Sequence, residues 1–183
     1  MTTPELIGQK PKTEYKTALP DVTFRDIEPE TLPDLKRLVE ENAEHISRGG
    51  IVPDYIYEST ERELNGDNPH DHQRMGIWKD DVLVGYAAVV PAEYSKIKNA
   101  VEVSYIVDPK YGRQGIARAV VEAITDIENE KGHNVIAEVE RYNVASIRLL
   151  GKLGFELSGR SDGRDVYARS TLTESEIYRR LGL

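Results

Sequence analysis

The chain contains no cysteine. That excludes disulfide cross-links, zinc-thiolate sites and a cysteine nucleophile, so its chemistry rests on oxygen, nitrogen and backbone groups. It also lacks any apolar run approaching the roughly 18 residues of a membrane span, and any basic-then-apolar start that would direct export. The expectation is a cytoplasmic protein without a membrane partner. Positive charge is the scarcer sign: 24 Lys and Arg stand against 32 Asp and Glu, a formal net charge of -8. This balance argues against a nucleic-acid partner and suits a basic or amine substrate. The common nucleotide signatures are missing too. No glycine-rich stretch ends in Gly-Lys-Ser/Thr, and none carries three glycines at dinucleotide-fold spacing.

What remains reads, over 183 residues, as one domain with a sizeable core. Residues 1–20 carry Pro4, Pro11 and Pro20 among polar side chains, the composition of a mobile arm or an edge extension; residues 21–183 hold the domain. Val22, Phe24 and Ile27 suggest a first strand. Leu32, Leu35, Leu38, Val39, Ala43 and Ile46 then fall on one helical face, which Gly49-Gly50 ends. A short second helix over 51–65 would include Tyr55, Ile56, Tyr57 and Leu64. In the polar loop that follows, His70 and His72 lie near Asp67 and Asp71, but no further histidine or cysteine supports a tetrahedral metal site, so a solvated loop is expected and no metal. Residues 75–79 and 82–91 form a hairpin through Asp80-Asp81, and alternation over 101–107 gives the next strand. After a central helix come a strand over 135–140, a helix capped by Asn143 and ended by Gly154, and strands over 155–157 and 165–168 joined by a polar turn. A last short helix is expected over 170–183. The order implies an α/β (α+β) fold with a mixed, mostly antiparallel sheet of six to seven strands and helices on both faces.

The most informative stretch is residues 108–117, Asp-Pro-Lys-Tyr-Gly-Arg-Gln-Gly-Ile-Ala. It joins the 101–107 strand to a helix whose Ile116, Val120, Ala123, Ile124 and Ile127 recur at three- and four-residue steps. A strand handed to a helix through glycines leaves the first helical N–H groups aimed at solvent, where an anion can accept from them. The loop reads as a phosphate cradle, or else as an ordinary turn with glycines for close packing.

The stretch resembles the acyl-CoA loop of the GNAT superfamily of N-acetyltransferases, Arg/Gln-X-X-Gly-X-Gly/Ala. Gly115 and Ala117 match the last two fixed positions; Gly112 stands where the family has Arg or Gln, with Arg113 and Gln114 as the compensating side chains. Residues 143–155, Asn-Val-Ala-Ser-Ile-Arg-Leu-Leu-Gly-Lys-Leu-Gly-Phe, resemble the same family's Asn-X-X-Ser/Ala-Ile-X-Leu-Tyr-X-Lys-X-Gly-Phe segment, about 25 to 30 residues after the cradle as one helix and one strand require. The resemblance implies that acetyl-CoA is the co-substrate. Its pyrophosphate would lie on the amides of Arg113, Gln114, Gly115, Ile116 and Ala117, its pantetheine beside the backbone of Ile106 and Val107, and its sulfur near Asn143 and Ser146.

The implied reaction is direct attack of a primary amine, on a peptide N-terminus or a small molecule, upon the thioester. At pH 7 about a tenth of an α-amine with pKa near 8 is neutral, so a base helps. Two candidates follow from the resemblance. Glu102 matches the Glu of the Glu-X-X-Tyr-X-X-Asp-Pro pattern in the ribosomal-protein branch, and Glu138, five residues before Asn143, matches the base position of the alanine acetyltransferases; either is otherwise an exposed strand carboxylate. The family's acid tyrosine is replaced by Leu150. Ser146, water, Tyr142 or another tyrosine then attends the leaving thiolate. Its absence keeps open a noncatalytic acyl-CoA-binding regulatory module, and a homodimer is compatible with either reading.

Overall fold

The computed structural model describes residues 13–68 and 72–170. Its elements run β1 (Glu14–Lys16), β2 (Val22–Asp26), α1 (Leu32–Glu41), α2 (Ala43–Arg48), α3 (Pro53–Leu64), β3 (Gln73–Lys79), β4 (Val82–Pro91), β5 (Ala100–Val107), α4 (Ile116–Glu130), β6 (Asn134–Val139), α5 (Val144–Lys152), β7 (Glu156–Ser161) and β8 (Arg164–Arg169). The strands form one sheet in the order β1-β2-β3-β4-β5-β6-β8-β7. Every pairing is antiparallel except that of β5 with β6.

The two faces of this sheet carry separate cores, because side chains alternate across each strand. Val101 and Val103 of β5 and Val135, Ala137 and Val139 of β6 pack with Ile116, Val120, Val121 and Ile124 of α4 and Leu150 of α5. The opposite face packs Leu83, Tyr86, Ala88 and Ile106 against Leu35, Leu38 and Val39 of α1, Ile46 of α2 and Ile56 of α3. Burying an aliphatic side chain contributes about 1.5–3 kcal/mol, so the fully buried Ile116 and Val120 seat the start of α4 firmly on the sheet. That start is the end of the loop expected to cradle phosphate.

Three expectations need correction. The sheet has eight strands, not six to seven, because Glu14–Lys16, within the stretch expected as an arm or edge extension, pairs with β2. Tyr15 stacks on Phe24 with ring centroids 5.0 Å apart, which supplies the apolar contact that a three-residue polar strand otherwise lacks. The single helix expected over 32–46 is two. Buried Asn42 donates its side-chain amide to the Leu38 carbonyl at 2.9 Å, and α2 begins directly after it. The turn expected over 158–164 is shorter than that, since β7 runs to Ser161 as an exposed edge strand paired with β8. The helix expected over 170–183 falls almost wholly outside the described residues.

Candidate active site

Between β5 and β6 the ladder covers three residues on each strand: Ala100 opposite Asn134, Val101 opposite Val135 and Glu102 opposite Ile136. Past Glu102 the two strands part. β5 continues to Val107 and β6 to Val139 without further pairing between them, leaving a cleft that interrupts the sheet. One wall ends in the loop before α4, the other in the loop before α5.

The first loop has the geometry of an anion cradle. Asp108 accepts from the Lys110 amide at 2.9 Å and so shapes the 109–111 turn. Arg113 has φ +61° and Gly115 φ +79°, a left-handed pair that turns the chain into α4. Gly115 is the N-cap, with no side-chain cap hydrogen bond. The first-turn amides therefore remain available for a ligand, and their partial positive charge favours an anion. Arg113, Gln114 and Gly115 are exposed and Ala117 half-buried, whereas the Ile116 side chain is buried in the core, leaving only its backbone for binding.

On the second wall Asn143 caps α5, its Oδ1 accepting from the Ser146 amide at 3.2 Å. Half-buried Ser146 lies on the α4/α5 side of the sheet. Its neighbour is Tyr105 of β5, whose buried hydroxyl makes no well-formed hydrogen bond among the described residues. Burial first of all, against a smaller contribution from Ser146, holds this phenol above its ordinary pKa. Leu150 is fully buried in the core. No polar side chain belongs at that position.

The opposite face of the cleft is acidic. Glu102 and Glu138 project to the same side by strand alternation, with Glu140 next along. Tyr94, in the 92–99 connection, donates its hydroxyl to Glu102 Oε2. Glu138 Oε2 is 4.0 Å from Arg164 Nη1, while its Oε1 is buried without a hydrogen-bond partner among the described residues. Arg164 also donates to Glu140 Oε1 at 2.9 Å and to the Gly50 carbonyl at 2.7 Å, tying the end of α2 across the strand ends. Burial, then the charge of Glu138, pushes the Glu102 carboxyl above its usual range, against the opposing effects of Tyr94 and Arg164.

A cleft flanked by an uncapped helix start on one side and paired carboxylates on the other can hold a diphosphate-bearing donor and take a proton from an acceptor. Residues 35–155 match the acetyltransferase (GNAT) family. The chain belongs to that family. As a GNAT acetyltransferase it uses acetyl-CoA to acetylate an amine nitrogen. No curated protein sequence matches it. Among solved structures it is similar to the ribosomal L7/L12 α-N-protein acetyltransferase RimL in complex with coenzyme A, at 18% identity and TM-score 0.72 over 86% of this chain and 98% of that one. The ribosomal-protein-S5-alanine acetyltransferase of Vibrio fischeri is 16% identical with TM-score 0.68, over 87% and 97% of the two chains. Mycobacterium smegmatis RimJ in complex with a CoA disulfide is 17% identical with TM-score 0.67, over 93% of each. At these identities the similarity shows the shared fold.

The acetyltransferase thus brings Glu102, Glu138 and Ser146 to one cleft, with Ile106 and Val107 on its β5 wall. Other candidates lie elsewhere. Tyr142 is exposed. His72 meets Glu63 through Nδ1 at 2.8 Å, well inside the α3–β3 junction, and His70 falls outside the described residues. Tyr57 donates to Glu61 at 3.1 Å. Sequence reasoning missed Arg164 and the link from Tyr94 to Glu102. Glu138 on β6 and Glu140 just past its end, two residues apart, were the available sign that an acidic face needed a cation.

Proposed function

We propose that this acetyltransferase acts on the α-amine of a protein N-terminus, with Glu102 as its base. The observation that carries this reading is the position of Glu102 at the last rung of the β5–β6 ladder, half-buried, with its carboxyl raised toward working pH by burial and by Glu138. Such a carboxylate is a better proton acceptor than one in water. Similar folds with N-terminal substrates support the choice of acceptor: one acetyltransferase from Salmonella typhimurium modifies the N-terminal serine of ribosomal protein L7/L12.

The residues divide the work between the two faces. Amides from Arg113 to Ala117 hold the pyrophosphate, and the backbone of Ile106 and Val107 guides the pantetheine into the gap beside Asn143. Acetyl-CoA supplies a thioester carbonyl open to attack and a sulfur able to leave. Glu102 accepts the proton of the amine as the C–N bond forms and the C–S bond breaks. Ser146, with the Tyr105 phenol beside it, faces the departing sulfur from the cofactor side and offers it a hydrogen bond.

Thiol release from acetyl-CoA tests the assignment, using peptides with free N-termini against the same peptides blocked at the N-terminus and carrying a free lysine. Release is expected with the first set only. Glu102→Gln should lower kcat by about 10²–10⁴ while CoA affinity holds. Equal turnover on blocked peptides would overturn the acceptor, and full activity in Glu102→Gln would overturn the base.

A further inference from the structure

Tyr94 is exposed over much of its ring yet lies in a connection that is firmly anchored. Ala92 donates to the Ala100 carbonyl at 2.9 Å, and Asn134 donates its backbone and side-chain amides to the carbonyls of Asn99 and Lys98 at 2.9 and 2.8 Å. Ile97 packs on Ala92, Ala100, Ile136 and Ala168 beneath it. The ring is thereby held over the acidic face of the cleft, and its hydroxyl meets Glu102. An exposed tyrosine fixed in this way costs conformational entropy, and it does not fill the core.

We propose that Tyr94 is a positioning residue for Glu102, its phenol O–H reaching across the mouth of the cleft to hold that carboxylate ionised and aimed inward against the charge of Glu138. The groups facing Glu102 are Tyr94 from the 92–99 connection, Glu138 from β6 and Arg164 from β8. Two of them favour the ionised form and one opposes it. The phenol itself stays protonated: burial first, then the bond to Glu102 and the nearby Glu138, hold it far above the ordinary phenol range. Tyr94 is therefore a permanent donor while Glu102 titrates beneath it. Its catalytic consequence rests on Glu102 being the base, whereas the clamp does not.

Carboxyl-carbon NMR titration of the full chain with ¹³C-labelled glutamate reads the clamp without an acceptor, the Glu102 resonance being assigned by its loss in Glu102→Gln. Tyr94→Phe keeps the ring and removes the donor. Its Glu102 midpoint should rise by about one pH unit, the lower end of what a hydrogen bond to a charged group contributes. Glu138→Gln should move the same midpoint down. A structural role for Tyr94 would leave the midpoint in place, so an unmoved midpoint in Tyr94→Phe, with CoA binding retained by calorimetry, overturns the proposal. The assignment of the base fails separately. A shifted midpoint alongside full turnover in Glu102→Gln keeps the clamp and removes the base; an unmoved midpoint with an inactive Glu102→Gln does the reverse.

Discussion

Substitutions at Gly115 separate the two properties that the cradle needs, its backbone shape and its freedom from negative charge. Gly115 caps α4 at φ +79°, and a Cβ built there would meet nothing within 4 Å. The penalty for a side chain is therefore conformational, about 1–2 kcal/mol for an L-residue in the left-handed region. Gly115→Ala incurs it without a charge. Gly115→Glu incurs the same strain, offset by about 0.3–1 kcal/mol because a carboxylate at a helix N-terminus is favourable. Both variants should fold, with unfolding free energies within about 2 kcal/mol of the parent. CoA binding divides them. Backbone strain is present in the free and the bound protein alike and cancels from the affinity, so Gly115→Ala should bind within a few-fold of the parent. A carboxylate roughly 5 Å from one phosphate charge, at an effective dielectric of about 20, costs about 3 kcal/mol, which is more than about a hundredfold in Kd. Calorimetric titration with CoA measures the affinities and thermal unfolding the stabilities. Similar affinities for the Ala and Glu variants would show that no diphosphate sits at this helix start.

Three further outcomes follow from the geometry. Leu150→Tyr should not restore an acid to the cleft: the site is fully buried, so the larger ring overpacks the core and lowers stability by about 1–3 kcal/mol without raising kcat. Arg164→Ala releases the Gly50 carbonyl and Glu140. Because Arg164 is only half-buried and gives up two hydrogen bonds, stability should fall by about 1–2 kcal/mol, while KM for the acceptor rises and CoA affinity, measured by calorimetry, stays constant. Glu63 is buried, and although burial raises its carboxyl pKa, the bonds from Arg74 and His72 outweigh that and leave it below the usual value. A lowered folded-state pKa gives stability that is full above the unfolded value, about 4.3, and is lost as pH falls through the folded one. Thermal unfolding should show this loss on acidification, and Glu63→Gln should abolish that component while costing about 1.5–3 kcal/mol at neutral pH, since Arg74 loses its counter-charge but keeps its bond to Tyr86.

Where the sequence was legible, a local cause was at work. The cradle loop, the capped helix at Asn143 and the strand before Asp108 are each defined by residues within a few positions of one another, and each forms where its pattern lies. The failures have local causes of another kind. Asn42 reads as a polar residue within a helical pattern, but its side chain bonds to the backbone one turn back, the kind of local bond by which asparagine competes with the helical ladder. Glu14–Lys16 holds one apolar residue, too few to show alternation, and is a strand because Phe24 offers a ring to Tyr15.

On the proposed function, the donor side of the site is a local sequence pattern and the acceptor side is not, for the same reason. A diphosphate is held by consecutive amides, so its site is written in one short stretch. A proton acceptor is made by its surroundings. Glu102 alone is a strand carboxylate like many others; what distinguishes it is Glu138 on a neighbouring strand, Arg164 from a third and Tyr94 from a connection that folds back over it. Glu138 and Arg164 meet it only because β6 is inserted between β5 and β8, a pairing that no local pattern announces. The proposed partition would also account for Leu150 in place of the family's tyrosine. In the proposed mechanism the thiolate side needs a hydrogen-bond donor near the α5 N-terminus rather than a tyrosine at one fixed position, and Ser146 with Tyr105 would offer two.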